Sequence, residues 1–194
     1  MHVKERRSKL WETLGELPSF ERPVSARLLK REEFDGYVLE TLLLDLNGLE
    51  AVPAFFAKPQ EEEGPYPLVV FNHSHGGNYG NGRQELIRSS GYLQEPSFAK
   101  VLTGLGCAVC SIDMWGFHER SGRSEGELVK EMLWTGRSLW GMMIYDNYRL
   151  IDYLCTREDV DSTRIGTIGM SMGGLMAWWL AALDERVSVV IDLC

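Results

Sequence analysis

Cysteine, histidine and positive charge are all scarce in this sequence of 194 residues, and each shortage removes a class of function. Only four cysteines occur, at positions 107, 110, 155 and 194. Cys107 and Cys110 make a C-x-x-C, but inside the apolar run Cys107 to Ile112. Side chains three residues apart on a strand point to opposite faces, which suits neither a disulfide nor a shared metal. The cysteines therefore read as structural thiols, and the expected compartment is the reducing cytoplasm. Lysine and arginine number 20 against 28 acids, a formal charge of −8. That balance argues against nucleic acid or an anionic membrane as the main partner. No apolar run approaches the roughly 20 residues that span a bilayer, and no apolar segment follows Lys4, Arg6 and Arg7 as it would in a signal peptide. With 44% hydrophobic and 25% charged residues, the composition suits one domain around one sizeable core.

What is present is a change of texture along the chain. Residues 4–16 predict an amphipathic helix carrying Leu10, Trp11 and Leu14, stopped by Pro18. Strands are expected at 25–33, 36–46 and 50–58, with Asn47-Gly48 as a hairpin turn. The linker Pro59 to Pro67, with Glu61, Glu62 and Glu63, reads as a solvated loop. From residue 67 strands and helices alternate. Leu68 to Phe71, Cys107 to Ile112, Arg164 to Met170 and Val187 to Leu193 are apolar runs of the kind buried strands require. Helices are expected from about Pro96 to Leu105, through a long stretch broken near Gly136 or Gly141, and from Met172 to Leu183. Such repetition implies an α/β fold, a mostly parallel sheet covered by helices on both faces, with leading antiparallel strands. The N-terminal helix and antiparallel strands occupy 1–60 and the α/β core 67–194.

The chemistry concentrates in Gly169-Met170-Ser171-Met172-Gly173. This G-x-S-x-G follows an apolar strand directly and opens a helix, the context of a nucleophile elbow. A serine on such a strained turn needs small neighbours two residues away on either side, and Gly174 extends the clearance. The helix start brings backbone N–H groups and a positive dipole end to where an oxyanion would form. A second signal, Asn72-His73-Ser74-His75-Gly76-Gly77-Asn78, follows the first parallel strand. Its glycines would let the backbone approach a tetrahedral intermediate. A flexible loop is the plain alternative there. His73 and His75 lack neighbouring Cys, Asp or Glu, so no metal site is read from them.

The elbow, the His73–Gly77 loop and the segment Asp113-Met114-Trp115-Gly116 after the next strand resemble the α/β-hydrolase superfamily. The stretch Asp146 to Asp161 running into Arg164-Ile165-Gly166 is similar to its dienelactone-hydrolase, acetyl-xylan-esterase and prolyl-oligopeptidase-like branch. The resemblance spans roughly residues 25–194. It implies Ser171 as nucleophile and the backbone N–H groups of Met172 and His75 as the oxyanion hole. Ser74 stands where the family's loop carries glycine, which makes Gly76 the substitute donor. No cofactor and no metal are implied.

The resemblance also implies an order of Ser, then Asp or Glu, then His, and here no histidine follows Ser171. Asp184, Glu185 and Asp192 offer no pair of base and orienting acid. Val187 to Leu193 would moreover be an uncovered edge strand, through which chains could associate. The expectation is that a missing C-terminal part completes both core and triad. His118, in the loop after Cys107–Ile112, is the one candidate base inside the chain, against an ordinary lid or solvated histidine. The functional expectation is a serine hydrolase of a small carboxylic ester or lactone, with a peptidase or a non-catalytic ligand- or partner-binding protein as alternatives. Trp115, Phe117, Trp134, Trp140, Met142 and Met143 are candidates for an acyl or aromatic pocket, or for plain core.

Overall fold

The computed structural model describes residues 2–60, 63–88 and 92–193. Glu61 and Glu62 of the linker, and Cys194, lie outside the described residues. Seven strands form one sheet in the order β1-β2-β3-β5-β4-β6-β7. β1 (Ser25–Phe34), β2 (Tyr37–Asp45) and β3 (Val52–Pro59) make an antiparallel meander. β3 pairs antiparallel with β5 (Ala108–Ile112). β5, β4 (Tyr66–Asn72), β6 (Val160–Met170) and β7 (Val187–Leu193) then run parallel. This is the α/β-hydrolase arrangement, with antiparallel leading strands and a parallel half.

Alternation along β4 explains why both faces are covered. Leu68 and Val70 pack with Cys110 against Leu150, Ile151 and Leu154 of α4 (Leu139–Leu154) and Leu180 of α5 (Met172–Leu183). Phe71, with Val69 beside it, faces the other way, onto Phe98 and Ala99 of α2 (Phe98–Gly104) and onto Leu86. A strand buried on both sides must be apolar at every position, which is what the continuous run encodes. A third cluster, including Met114, Trp115, Phe117, Leu128, Met132 and Met142, fills the space beneath the loop after β5 and α3 (Glu125–Trp134).

Serines set the helix starts. Ser97 Oγ accepts from Lys100 N–H and Ser138 Oγ from Gly141 N–H, while Ser124 and Glu127 form a reciprocal capping box. Pro96 accordingly precedes the cap of α2 instead of occupying its first turn. The long helical stretch breaks at Gly136, whose φ is +69°. Gly141 lies inside α4, where a Cβ would collide with the Leu14 carbonyl oxygen. α1 (Val3–Glu12) ends sooner than the apolar pattern predicts, and Leu14 is buried just beyond it. Asn47-Gly48 is not a two-residue hairpin turn either, because the last β2–β3 pair is Leu44 with Val52. Asn47 instead shapes a longer loop. Its Oδ1 accepts from Leu49 and Glu50 N–H, and its Nδ2 donates to buried Asp146 at 2.7 Å.

β7 is the last strand of the sheet, and Val189, Val190, Ile191 and Leu193 are all exposed. No described helix is long and apolar enough to cross a membrane.

Candidate active site

The turn between β6 and α5 is held open by glycine. Gly169 and Gly173 face each other across it so closely that a Cβ on Gly169 would run into the Gly173 carbonyl. A Cβ on Gly173 would run into the Asn72 carbonyl at the end of β4, and one on Gly174 into the Asp192 carboxylate. Between them Ser171 adopts φ 55° and ψ −119°, a backbone conformation that non-glycine residues rarely hold. Strain of this kind persists where surrounding structure imposes it. Here Ser171 N–H is fixed by the Leu193 carbonyl at 3.1 Å, and Leu175 N–H bonds the Ser171 carbonyl at 3.1 Å. Met172 is the first residue of α5, so its N–H has no partner within the helix.

The loop after β4 lies beside this turn. Ser74, Gly76, Tyr92, Met170 and Ser171 line one cavity of about 230 Å³. Gly76 and Gly77 take φ values of +53° and +67°, which carry the loop back over the site at no steric cost to glycine. The N–H groups of His75 and Gly76 donate to no described residue, while that of Gly77 is taken by His75 Nδ1 at 3.2 Å. Among the described residues both the expected donor and its substitute are therefore unengaged, and both sit on the loop that borders Ser171.

Sequence reasoning missed what fixes this loop. Glu85, eleven residues on and buried, accepts from Ser74 N–H and Ser74 Oγ, each at 2.8 Å, and from Tyr92 Oη at 2.9 Å. Ser74, standing at the glycine position of the resembling family, is thus an anchor. His73 is the other anchor. It is fully buried, its Nδ1 lies 2.9 Å from the Ser74 carbonyl, and its Nε2 accepts from Met114 N–H at 3.1 Å. With Nε2 accepting, Nδ1 carries the proton and the ring is neutral. Burial holds its pKa below the usual histidine value, against the pull of Glu85 and Asp113.

His75 and His118 also have other partners, and His2 is exposed at the start of α1. His75 accepts from Gly77 N–H through Nδ1, so its Nε2–H faces Tyr79 Oη at 2.9 Å, and Tyr79 donates to Glu125 at 2.5 Å. The Glu125 carboxylate raises the Tyr79 phenol above its ordinary pKa. His118, φ +45°, lies with Nδ1 3.1 Å from both Asp113 Oδ2 and the Arg83 guanidinium. It shares no hydrogen bond with Ser171 among the described residues. Its cluster of Asp113, His118 and Glu119 has the spacing of a cation site, but buried Arg83 already donates to both carboxylates.

The aromatic and methionine candidates divide. Trp115, Phe117 and Met142 are core, and Trp134 is 91% exposed. Trp140 and Met143 border a second cavity of about 490 Å³, which also touches His75 and Met172.

The sheet thus carries a strained serine between glycines beside a glycine-bearing loop. The family model of acetyl xylan esterase (AXE1) matches residues 8–193. The chain belongs to the acetyl xylan esterase family. It is 56% identical over 190 residues to the YtaP protein of Bacillus subtilis (strain 168), covering 98% of this chain and 63% of YtaP. This member of the acetyl xylan esterase family therefore spans less than two thirds of that relative's length. Its fold is also that of the acetyl xylan esterase from Paenibacillus sp. R4, with a TM-score of 0.65 at 20% identity over 97% of this chain and 56% of that one. Acetyl xylan esterase 1 from Thermoanaerobacterium sp. JW/SL YS485 matches with a TM-score of 0.64 at 19% identity, over 98% and 57% of the two chains.

Proposed function

We propose that this protein hydrolyses a small carboxylic ester or lactone through an acyl-enzyme on Ser171. The observation that carries the reading is the strained Ser171 backbone, φ 55° and ψ −119°, held at the mouth of a cavity lined by the loop after β4. The Ser171 hydroxyl attacks the ester carbonyl carbon, and the carbonyl oxygen becomes an oxyanion. The N–H of Met172 and that of His75, or of Gly76 in its place, donate to it. Such donors are aimed at charge that develops only in the transition state. The alcohol leaves with a proton, water attacks the acyl carbon, and the acid departs as Ser171 recovers its proton.

Both proton transfers need a base. His73 and His75 spend their ring nitrogens on the loop, and His118, held at Nδ1 by Asp113 and Arg83, makes no hydrogen bond to Ser171 among the described residues. We infer that the base is a histidine outside these 194 residues, in keeping with the greater length of YtaP. The free thiols at Cys107, Cys110 and Cys155 suit a cytoplasmic setting.

The test is labelling by a fluorophosphonate probe, in this chain and in one extended at its C-terminus to the length of its relatives. Labelling of the extended chain that Ser171→Ala abolishes is the expected result. Labelling that survives Ser171→Ala, or none in the extended chain, would refute the assignment.

A further inference from the structure

Two cavities border the candidate site: Ser171 lines the smaller, and its chain neighbour Met172 lines the larger. The smaller is lined by Ser74, Gly76, Tyr92, Met170 and Ser171, three of them hydroxyl-bearing. The larger, about 490 Å³, is walled by Val129 and Leu133 of α3, Trp140 and Met143 of α4, and Met172 of α5. His75 borders it as well. His75 and Met172 are the residues whose N–H groups the proposed mechanism places on the oxyanion. Each is the chain neighbour of residues that line the smaller cavity, so the larger cavity lies next to the one that holds Ser171.

We propose that the larger cavity is the binding site for an apolar substituent of the ester, an aromatic ring or an alkyl chain well beyond acetyl, in place of a sugar. This rests on the Ser171 reading and deepens it. Sugars are recognised by many hydrogen bonds, and this cavity is poor in free partners. Of its two charged neighbours, Glu125 is already taken by Tyr79 Oη. Ser138 Oγ is likewise spent, donating to the Leu14 carbonyl at 2.6 Å and accepting from Gly141 N–H. Arg137 is the remaining polar group. Its size falls in the range of small-molecule sites, which are mostly apolar with a few placed polar groups. Val129 and Leu133, one helical turn apart, also stay partly open to solvent, at 38% and 68% exposure. Apolar side chains left exposed on a cavity wall gain when an apolar group covers them.

The exposure of Leu133 makes a clean variant, because Leu133→Asp puts a charge on the wall without touching the core. Binding of n-butanol, n-hexanol, n-octanol and xylobiose to the chain would be measured by calorimetry or chemical-shift titration. The alcohols should tighten about three- to fourfold per added methylene, and Leu133→Asp should weaken octanol at least about tenfold. Octanol affinity unchanged in Leu133→Asp, or xylobiose bound more tightly than octanol, would overturn the proposal. The hydrolase reading is scored separately by Ser171 labelling. Labelling without any chain-length dependence of binding sinks only the apolar site. Chain-length-dependent binding without labelling sinks only the hydrolase.

Discussion

The α-carbon of Gly173 lies directly against the backbone carbonyl of Asn72, the last residue of β4, leaving no room for a Cβ. One contact thus joins the helix after the serine to the strand that launches the loop proposed to hold the oxyanion. Substituting Gly173→Val should push the two apart, costing on the order of 1–3 kcal/mol or more. At about 2–4 °C per kcal/mol for a chain of this size, the thermal midpoint should drop by several degrees. Gly104→Ala is the control, since nothing lies within 4 Å of a Cβ there, and its midpoint should hold or rise. An unchanged midpoint for Gly173→Val would contradict the elbow.

Glu85 should behave as a positioning residue for the oxyanion loop. Glu85→Ala leaves the Ser74 N–H buried without its acceptor, which costs about 1–3 kcal/mol. Because the loop carries the proposed donor, turnover of an extended, active chain should fall further than stability alone explains, in kcat more than in KM. Gly76→Val, at a φ of +53°, should act on the same step, by about 10²–10³ if it displaces the donor. Steady-state kinetics with a short-chain ester would decide; a change in KM alone would count against both.

The contrast between Ser171 and Glu85 marks what was legible in the sequence. The elbow is local: five consecutive residues behind an apolar strand carry strand, turn, clearance and nucleophile together. The sheet is equally readable, because β4 carries the continuous apolar run Leu68 to Phe71, β5 is buried at every position, and β4 sends alternate side chains to two different clusters. Long-range polar pairing leaves no such periodic mark. Nothing near Asn47 announces Asp146, and nothing near Ser74 announces Glu85. The aromatic candidates were undecidable for the same reason. Trp134 and Trp140 look alike in sequence, yet one closes α3 in solvent and the other borders a cavity, according to which side of the Gly136 break it falls.

His73 makes stability depend on pH in a stated direction. Its folded pKa lies below the ordinary 6.5 because burial disfavours the charged ring. The unfolded chain therefore binds the extra proton more readily between the two values. Stability is complete above pH 6.5 and is lost as pH falls below it, by up to about 1.4 kcal/mol per unit until the folded value is reached. Urea melts at pH 5.5 and 7.5 on wild type and His73→Gln would measure it. The variant should lose that part of the pH dependence, and an identical slope in both proteins would assign the effect to other groups.

The last prediction joins Ser171 to β7. In the 194-residue chain no described histidine reaches Ser171, so its hydroxyl proton has no acceptor when the bond to the acyl carbon forms. Hydrolysis of p-nitrophenyl acetate should be slight, with about 10³–10⁴ over water as the residue left by oxyanion hole and binding. In the same chain β7 pairs on one side only among the described residues, with Val190 and Ile191 each 45% exposed, and such an edge can template pairing with another chain. Two copies should therefore associate along that edge, and Val190→Lys should reduce the association, since charge on an edge strand opposes pairing. Light scattering beside the ester assay reads both effects. Extending the chain at its C-terminus should raise turnover and abolish association together, because a strand added beside β7 occupies the edge while its continuation brings the base. Full Ser171-dependent turnover by monodisperse 194-residue chains would break that link, and would require a base inside the chain, at His118 or on the His73–His75 loop.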